Sequence, residues 1–149
     1  YTTGNATDFP LMRVEEMYFI KAEALAANGD IPAGQAVLND FMRNRITDGS
    51  YSCSAYTDLE SFTDELLLQK RIEFWGEGIL IYDYKRLAEG ITRGYEGTNH
   101  ASVFCYNSEG RSPQWNIVIT RAEFQANKGI TESTNNPDPS GKLTLWSGK

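Results

Sequence analysis

The stretch PLMRVEEMYFIKAEALAANGDIPAGQAVLNDFMRNR, from Pro10 to Arg45, carries the clearest fold signal in the chain. Two helical patterns flank an NGD turn, and Pro10 and Pro32 stand at their starts, where a missing backbone N–H costs nothing. Gly29 in the turn can adopt the left-handed conformation that ends many helices. The stretch therefore predicts an antiparallel helical hairpin, with the second helix running from Pro32 to about Arg45.

Apolar residues of the hairpin recur at three- and four-residue spacings, which places them on one face of each helix. The expected inward residues are Leu11, Val14, Tyr18, Ala22, Leu25, Ala33, Ala36, Val37 and Phe41. Small residues at positions 22, 29 and 36 favour a close approach of the two helices. The pattern resembles a tetratricopeptide unit, in which about 34 residues form one helical pair, and a stable array needs roughly three. One copy is visible, so the hairpin is expected to pack on later helices or on parts of the protein outside this sequence.

Later segments predict shorter elements. A capping box that starts at Thr57, with the sequence TDLE, opens a helix that continues to Trp75. A further short helix is expected from Ile79 to Ala88, with Gly90 as the residue that stops it. The chain then becomes rich in Gly, Ser and Asn, which is typical of a long loop. Residues 115–120 are expected to be extended. A second capping box, at Thr120, opens a helix that runs to about residue 127. No internal boundary divides the 149 residues, so one domain is expected.

The segment LLLQKRIEFWGEGILIYDYKRL, residues 66–87, places charges among large apolar residues. One interpretation is an acid/base pair of carboxylates, Glu73 with Glu77 or Glu77 with Asp83, as in glycoside hydrolysis. The favoured interpretation is structural. Arg71 falls on an apolar stripe and needs a partner there; Asp83 is the candidate, with Glu73 and Arg86 extending the ion-pair network. Two tryptophans, at positions 75 and 115, are expected in the core.

Composition limits the function classes. The net charge of -6 argues against nucleic-acid binding, which needs clustered Lys and Arg. No window approaches the roughly 18 continuous apolar residues of a membrane-spanning helix. Cys53 and Cys105 fit no metal-binding spacing; they pair in an oxidising compartment or remain two free thiols. The lone His100 and the absence of phosphate-loop, CxxC or Ser/His/Asp motifs leave no predicted metal, cofactor or catalytic residue.

Several of these stretches, in order, resemble the SusD/RagB family. The hairpin matches through Arg13 with Glu16, Ala22-Glu23-Ala24, Gly29-Asp30, Leu38-Asn39, Arg43 and Arg45. The later helices match through Arg71, Glu73-Phe74, Glu77-Gly78, Tyr82-Asp83 and Arg86. Trp115 to Asn127 is similar to the family's closing segment. The chain departs from the pattern at Leu80, where the family often has Arg, and at residues 117–119, where Ile-Val-Ile replaces Pro-Ile-Pro.

The resemblance implies an all-α fold of tetratricopeptide-like helical hairpins with long irregular loops. It implies a non-catalytic protein that holds an oligosaccharide or other nutrient at the cell surface. Its partner would be a SusC-like TonB-dependent β-barrel transporter. It also implies a lipid anchor in the outer membrane, and that this sequence is the C-terminal portion of a longer protein.

Sugar rings bind to aromatic faces, with Asn, Asp and Arg contacting their hydroxyl groups. The candidate glycan-binding residues are those of loop-like segments: Tyr51, Tyr56, Tyr95, Asn99, Phe104 and Tyr106. The alternative is that these aromatics anchor the loops to the body of the protein. A helical-repeat scaffold for protein–protein interaction is the alternative function, and it would use a concave helical face.

Overall fold

The computed structural model describes residues 12–137 and 144–148. Its helices are α1 (Val14–Ala27), α2 (Ile31–Met42), α3 (Leu59–Glu73), α4 (Leu80–Leu87) and α5 (Arg121–Ala126). A small antiparallel sheet pairs β1 (Ile91–Thr92) with β2 (Asn107–Ser108). Single 3-10 turns occupy Ser102–Phe104, Pro113–Trp115 and Glu132–Thr134. The predicted all-α class is confirmed, because the sheet contributes only two residues from each strand.

The chain divides into two compact units between Gly76 and Glu77. The first unit holds α1, α2 and α3, and the second holds α4, the sheet and α5. The single domain expected from the sequence stays a prediction, and each unit is described on its own.

The first unit is built on the predicted hairpin. Gly29 has φ of +93°, the left-handed conformation that lets the chain reverse after α1. Asp30 caps the start of α2, and its carboxylate accepts a hydrogen bond from Ala33 N at 3.0 Å. Asp58 caps the start of α3: its carboxylate accepts a hydrogen bond from Ser61 N at 2.8 Å, so the cap lies one residue beyond the predicted Thr57.

Aromatic rings fill the space between these three helices. Phe19 of α1 lies edge-on to Phe41 of α2, with ring centroids 5.0 Å apart, and to Phe74 at 5.8 Å. Leu38, Phe62 and Leu66 are also fully buried around them. Burying a large apolar side chain contributes about 1.5–3 kcal/mol, so this cluster is the main source of stability in the unit.

The buried face of the hairpin differs from the predicted one. On α1 the buried residues are Phe19, Ala22 and Ala26, whereas Val14 is 67% exposed and Tyr18 is 42% exposed. Leu11 lies outside the described residues. Helix α1 carries apolar residues on nearly every side, so more than one stripe satisfies the helical period. On α2 the residue of closest approach is Gly34, and Ala36 is exposed.

The second unit differs from expectation at its helix ends. Helix α4 spans Leu80–Leu87, within the predicted Ile79–Ala88, and the left-handed residue that ends it is Ala88, with φ of +57°, in place of the predicted Gly90. Thr120 precedes α5 as predicted, but its side chain makes no capping hydrogen bond. The segment after Trp115 forms no strand with any residue that the structure describes. Trp115 itself is buried and meets Tyr84 of α4 edge-on at 5.9 Å.

Replacing Ala88 by glycine is expected to raise the free energy of unfolding by about 0.5–1 kcal/mol, because only glycine adopts positive φ without strain. Ala88 is exposed, so its methyl group contributes little packing. The same substitution at Ala27, an exposed residue of α1 with right-handed backbone, is expected to lower stability by about 0.5–1 kcal/mol. Urea unfolding of both variants checks the opposite signs; equal losses would contradict the left-handed cap.

Candidate functional site

A hairpin in the second unit presents most of the predicted glycan-binding residues. Its two strands pair with Ile91 opposite Ser108 and Thr92 opposite Asn107. The connection between them, residues 93–106, is long for a hairpin, and loops of that length are typically functional or poorly ordered. What fixes this connection therefore decides whether it can present side chains in defined positions.

Asn107 fixes the first turn of the connection. Its side-chain oxygen accepts hydrogen bonds from Arg93 N at 3.0 Å and Gly94 N at 2.8 Å, and its amide nitrogen donates to Gly94 O at 3.0 Å. The Asn107 side chain thus makes the hydrogen bonds that a paired strand would make to residues 93 and 94, just beyond the end of the β1–β2 sheet. The guanidinium of Arg93 lies 5.3 Å from the ring centre of Tyr106, a cation–π contact across the base of the hairpin.

Two buried side chains hold the rest of the connection. Thr98 is buried, and its hydroxyl accepts from His100 N at 3.3 Å. Cys105 is fully buried, and its thiol donates to His100 O at 3.3 Å. Residues near the end of the chain add a third tie, because Trp146 N donates to Cys105 O at 2.7 Å and its side chain lies against Gly94. The connection is therefore anchored from inside by short polar and thiol side chains.

The large side chains of the connection face outward. Tyr95 is 49% exposed and Phe104 is 56% exposed, with Asn99 exposed between them in sequence. Val103, beside Phe104, is also exposed. Tyr106 is half-buried, consistent with its contact to Arg93. An anchored loop with exposed aromatic rings and an exposed amide has the chemical groups that sugar rings require.

Tyr51 and Tyr56 lie in the first unit and have a different environment. The Tyr51 hydroxyl donates to Glu65 Oε1 at 2.7 Å, and Gln69 Nε2 donates to the same oxygen at 2.8 Å. Burial, followed by this hydrogen bond, raises the pKa of Tyr51 well above its usual value. Hydrogen bonding to Glu65 likewise raises the pKa of Tyr56. Glu65 is buried, so these half-buried phenols serve first to satisfy its carboxylate.

The loop that carries both tyrosines is tied to α2. Gln35 Nε2 donates to the carbonyl oxygens of Cys53 at 3.2 Å and Tyr56 at 2.7 Å, and Asn39 Oδ1 accepts from Cys53 N at 3.0 Å. Burial raises the pKa of the Cys53 thiol, which disfavours a reactive thiolate. Cys53 and Cys105 are both free thiols.

The charged segment forms its network with residues distant in sequence. The Glu73 carboxylate accepts from Arg45 Nε at 2.7 Å and Arg45 Nη2 at 3.0 Å, and from Arg13 Nη2 at 2.5 Å. Glu15 lies 3.4 Å from both arginines and completes a ring of alternating charge. The two guanidiniums also lie over Phe74 and Phe41, 4.9 and 4.8 Å from the ring centres. We call Arg13, Glu15, Arg45 and Glu73 the arginine–glutamate ring.

Arg71 does not play the predicted part. It is exposed on α3, so the expectation of a guanidinium buried on an apolar stripe is wrong. The stripe residues Leu67 and Phe74 are buried as predicted. Asp83 is buried and pairs with Arg86 at 2.7 Å within α4. Trp75, expected in the core, is 85% exposed.

The geometry of Glu73 is unsuited to acid/base chemistry. Hydrogen bonding from Arg45, then Arg13, and the charges of both hold the pKa of this carboxyl below its usual value. A general acid near neutral pH needs a pKa raised toward the working pH. Glu73 is therefore an ionised structural group near neutral pH, and the Glu73–Glu77 form of the hydrolase interpretation loses its general acid.

The part of the chain that the structure describes contains no helix long and apolar enough to cross a membrane. No curated protein and no solved structure matches the sequence. The family model of the SusD family matches residues 1–141. SusD family proteins are in general outer-membrane lipoproteins that bind glycans and other nutrients, typically in Bacteroidetes. Because the match spans nearly the whole chain, the protein belongs to the SusD family.

Proposed function

We propose that this protein is a non-catalytic, lipid-anchored nutrient-binding protein of the outer-membrane surface, which holds an oligosaccharide for a SusC-like TonB-dependent β-barrel transporter. Family membership supports the general role. The observation that carries the proposal for this chain is the anchored 93–106 connection with Tyr95 and Phe104 exposed. A loop whose backbone is held in place before binding loses little entropy when a sugar stacks on its exposed rings.

Of the six candidate residues, we assign the binding role to Tyr95, Asn99 and Phe104. Tyr106 supports them from the base of the hairpin through its contact with Arg93. Tyr51 and Tyr56 are assigned an anchoring role, because both phenols are engaged with Glu65. This assignment divides the candidates between the two alternatives that the sequence left open.

Alanine at Tyr95 or Phe104 is expected to weaken oligosaccharide binding about tenfold, since an aromatic contact contributes about 0.5–1.5 kcal/mol beyond its buried area. Isothermal titration calorimetry with neutral malto-, xylo-, manno- and fructo-oligosaccharides would measure the loss. Tyr51→Phe is the matched control: it removes one hydroxyl from an aromatic residue, and the affinity should stay unchanged. Binding by no oligosaccharide, or equal affinity of Tyr95→Ala, Phe104→Ala and wild type, would refute the assignment.

A second candidate function, a helical scaffold for protein–protein interaction, has one observation in its favour. On the outward side of α3, Leu68, Arg71, Ile72 and Trp75 line a shallow groove of about 390 Å³. Exposed apolar side chains grouped in this way are typical of interaction surfaces. Affinity purification of the native protein from outer-membrane fractions distinguishes the two functions: a co-purifying β-barrel transporter supports nutrient uptake, and a soluble helical partner supports the scaffold.

A further inference from the structure

A second concave surface in the second unit lies away from the hairpin in sequence. It is a cleft of about 810 Å³ between the segment around α5 and residues 135–137. Its lining includes Arg121, Phe124 and Gln125 of α5, Ile119 before the helix, and Asn135 and Asn136 opposite. The volume falls within the range of ligand-binding clefts, about 300–1,000 Å³.

The walls of the cleft are fixed by asparagine side chains. Asn135 Oδ1 accepts from Ile119 N at 2.8 Å, and Asn135 Nδ2 donates to Ile119 O at 3.2 Å. Asn136 Nδ2 donates to Ile117 O at 2.7 Å. The Asn135 bonds join residues 16 positions apart in sequence, and the Asn136 bond joins residues 19 positions apart. Asn135 pairs with both the backbone N–H and the backbone carbonyl of Ile119, as a neighbouring strand would. The cleft is thus preorganised, which lowers the entropy lost on binding.

The side chains of α5 that face the cleft form a defined chemical pattern. Arg121, Phe124 and Gln125 stand at positions i, i+3 and i+4, which share one face of a helix. Phe124 is half-buried and offers part of its ring to the cleft. Gln125 and Arg121 are exposed on either side of it. Within residues 12–137 and 144–148, Arg121 makes no ion pair or hydrogen bond.

We infer that this cleft binds a uronate residue of an acidic oligosaccharide. The apolar face of the sugar ring would stack on Phe124, the carboxylate would take the planar fork of Arg121, and Gln125 would contact a hydroxyl group. Arginine suits this role because its guanidinium binds a carboxylate with two parallel hydrogen bonds. The inference rests on the proposed glycan-binding function and gives it a substrate class, a glycan that carries carboxylates.

The test uses the full chain and two matched ligands, trigalacturonate and its fully methyl-esterified form, which have the same sugar backbone and differ at the carboxyl groups, charged in one and esterified in the other. Calorimetry at low salt is expected to give at least tenfold tighter binding of the acid than of the ester. Added salt should weaken the binding of the acid and leave the binding of the ester unchanged. Equal affinity for acid and ester, or binding of neither, would overturn the inference.

Variants locate the effect. Arg121→Gln should remove the preference for the acid. Phe124→Leu, which keeps apolar bulk in the cleft, should weaken the binding of both the acid and the ester. Arg111→Gln is the control, an exposed arginine of the same unit bonded to Asn116; the preference should persist. An Arg121→Gln variant that still prefers the acid would overturn the inference. If neutral oligosaccharides bind through Tyr95 and Phe104 while acid and ester remain equal, the proposed function stands and the inference fails.

Discussion

Glu73→Gln is expected to lower the free energy of unfolding at pH 7 by about 2–3 kcal/mol. The substitution keeps the shape of the side chain but removes the charge that two arginines share, and hydrogen bonds to charged groups each contribute about 1.5–3 kcal/mol. The Glu73 side chain is 11% exposed, so water cannot replace the lost interaction fully. Arg13 and Arg45 would then face each other with only Glu15 between them. Urea unfolding followed by circular dichroism measures the change.

The matched control is Asp40→Asn, which breaks an ion pair with Arg43 whose side chains are 63% and 73% exposed. Exposed pairs contribute about 0–1 kcal/mol, so this variant should remain close to wild type. Equal, small losses in both variants would show that the arginine–glutamate ring behaves as an ordinary surface cluster.

The same carboxylate gives the protein an acid-dependent stability. Because the pKa of Glu73 is lower in the folded chain than in the unfolded chain, its contribution is complete above the unfolded value, about 4.3. As the pH falls further, toward the folded pKa, the unfolded chain binds the proton first and the contribution is lost. Glu15, whose pKa is also lowered, acts in the same direction. The free energies of unfolding of wild type and Glu73→Gln, measured from pH 7 to pH 3, should therefore converge as the pH falls. A difference that stays constant over this range would exclude the linkage.

The arginine–glutamate ring also marks where inference from the sequence stops. The hairpin and its Gly29 turn are local features, set by caps and periodicity within a few residues, and they were predictable. Arg13 and Arg45 lie 60 and 28 residues from Glu73, and both belong to the motif stretches that resemble the family. Nothing local joins them to Glu73. Helical spacing instead drew attention to Arg71, which the fold leaves exposed.

The candidate site shows the same distinction between local features, which were predictable, and contacts between distant residues, which were not. That the aromatics at positions 51, 56, 95, 104 and 106 lie in loops followed from composition. Which of them remain exposed depends on partners in other elements, such as Glu65 for Tyr51. Glu65 reads as one more charged residue of an amphipathic helix, and its burial is decided by tertiary packing. The cleft beside α5 had no sequence signal, since its walls are joined by asparagines distant along the chain.

Gly34 is the second residue on which the first unit depends. A methyl group on Gly34 would stand 2.6 Å from the backbone oxygen of Ala22 in α1 and 3.0 Å from Cε1 of Phe62 in α3. The first distance is shorter than carbon and oxygen tolerate, and a helix backbone cannot rotate away as a side chain can. The glycine therefore sets the separation of α1 and α2, although glycine inside a helix costs about 1 kcal/mol relative to alanine.

Gly34→Ala is consequently expected to lower the free energy of unfolding by about 2 kcal/mol, because the overpacking of three helices outweighs the gain in helix propensity. On an exposed helical face the same substitution would stabilise the protein, so the sign of the effect reports the close approach directly. Ala36→Ser, on the exposed side of α2, is the control and should change stability by less than about 0.5 kcal/mol. Urea unfolding of the two variants gives the comparison. A Gly34→Ala protein as stable as wild type would mean that α1 and α2 separate without loss, and that the aromatic cluster around Phe19 tolerates a wider hairpin.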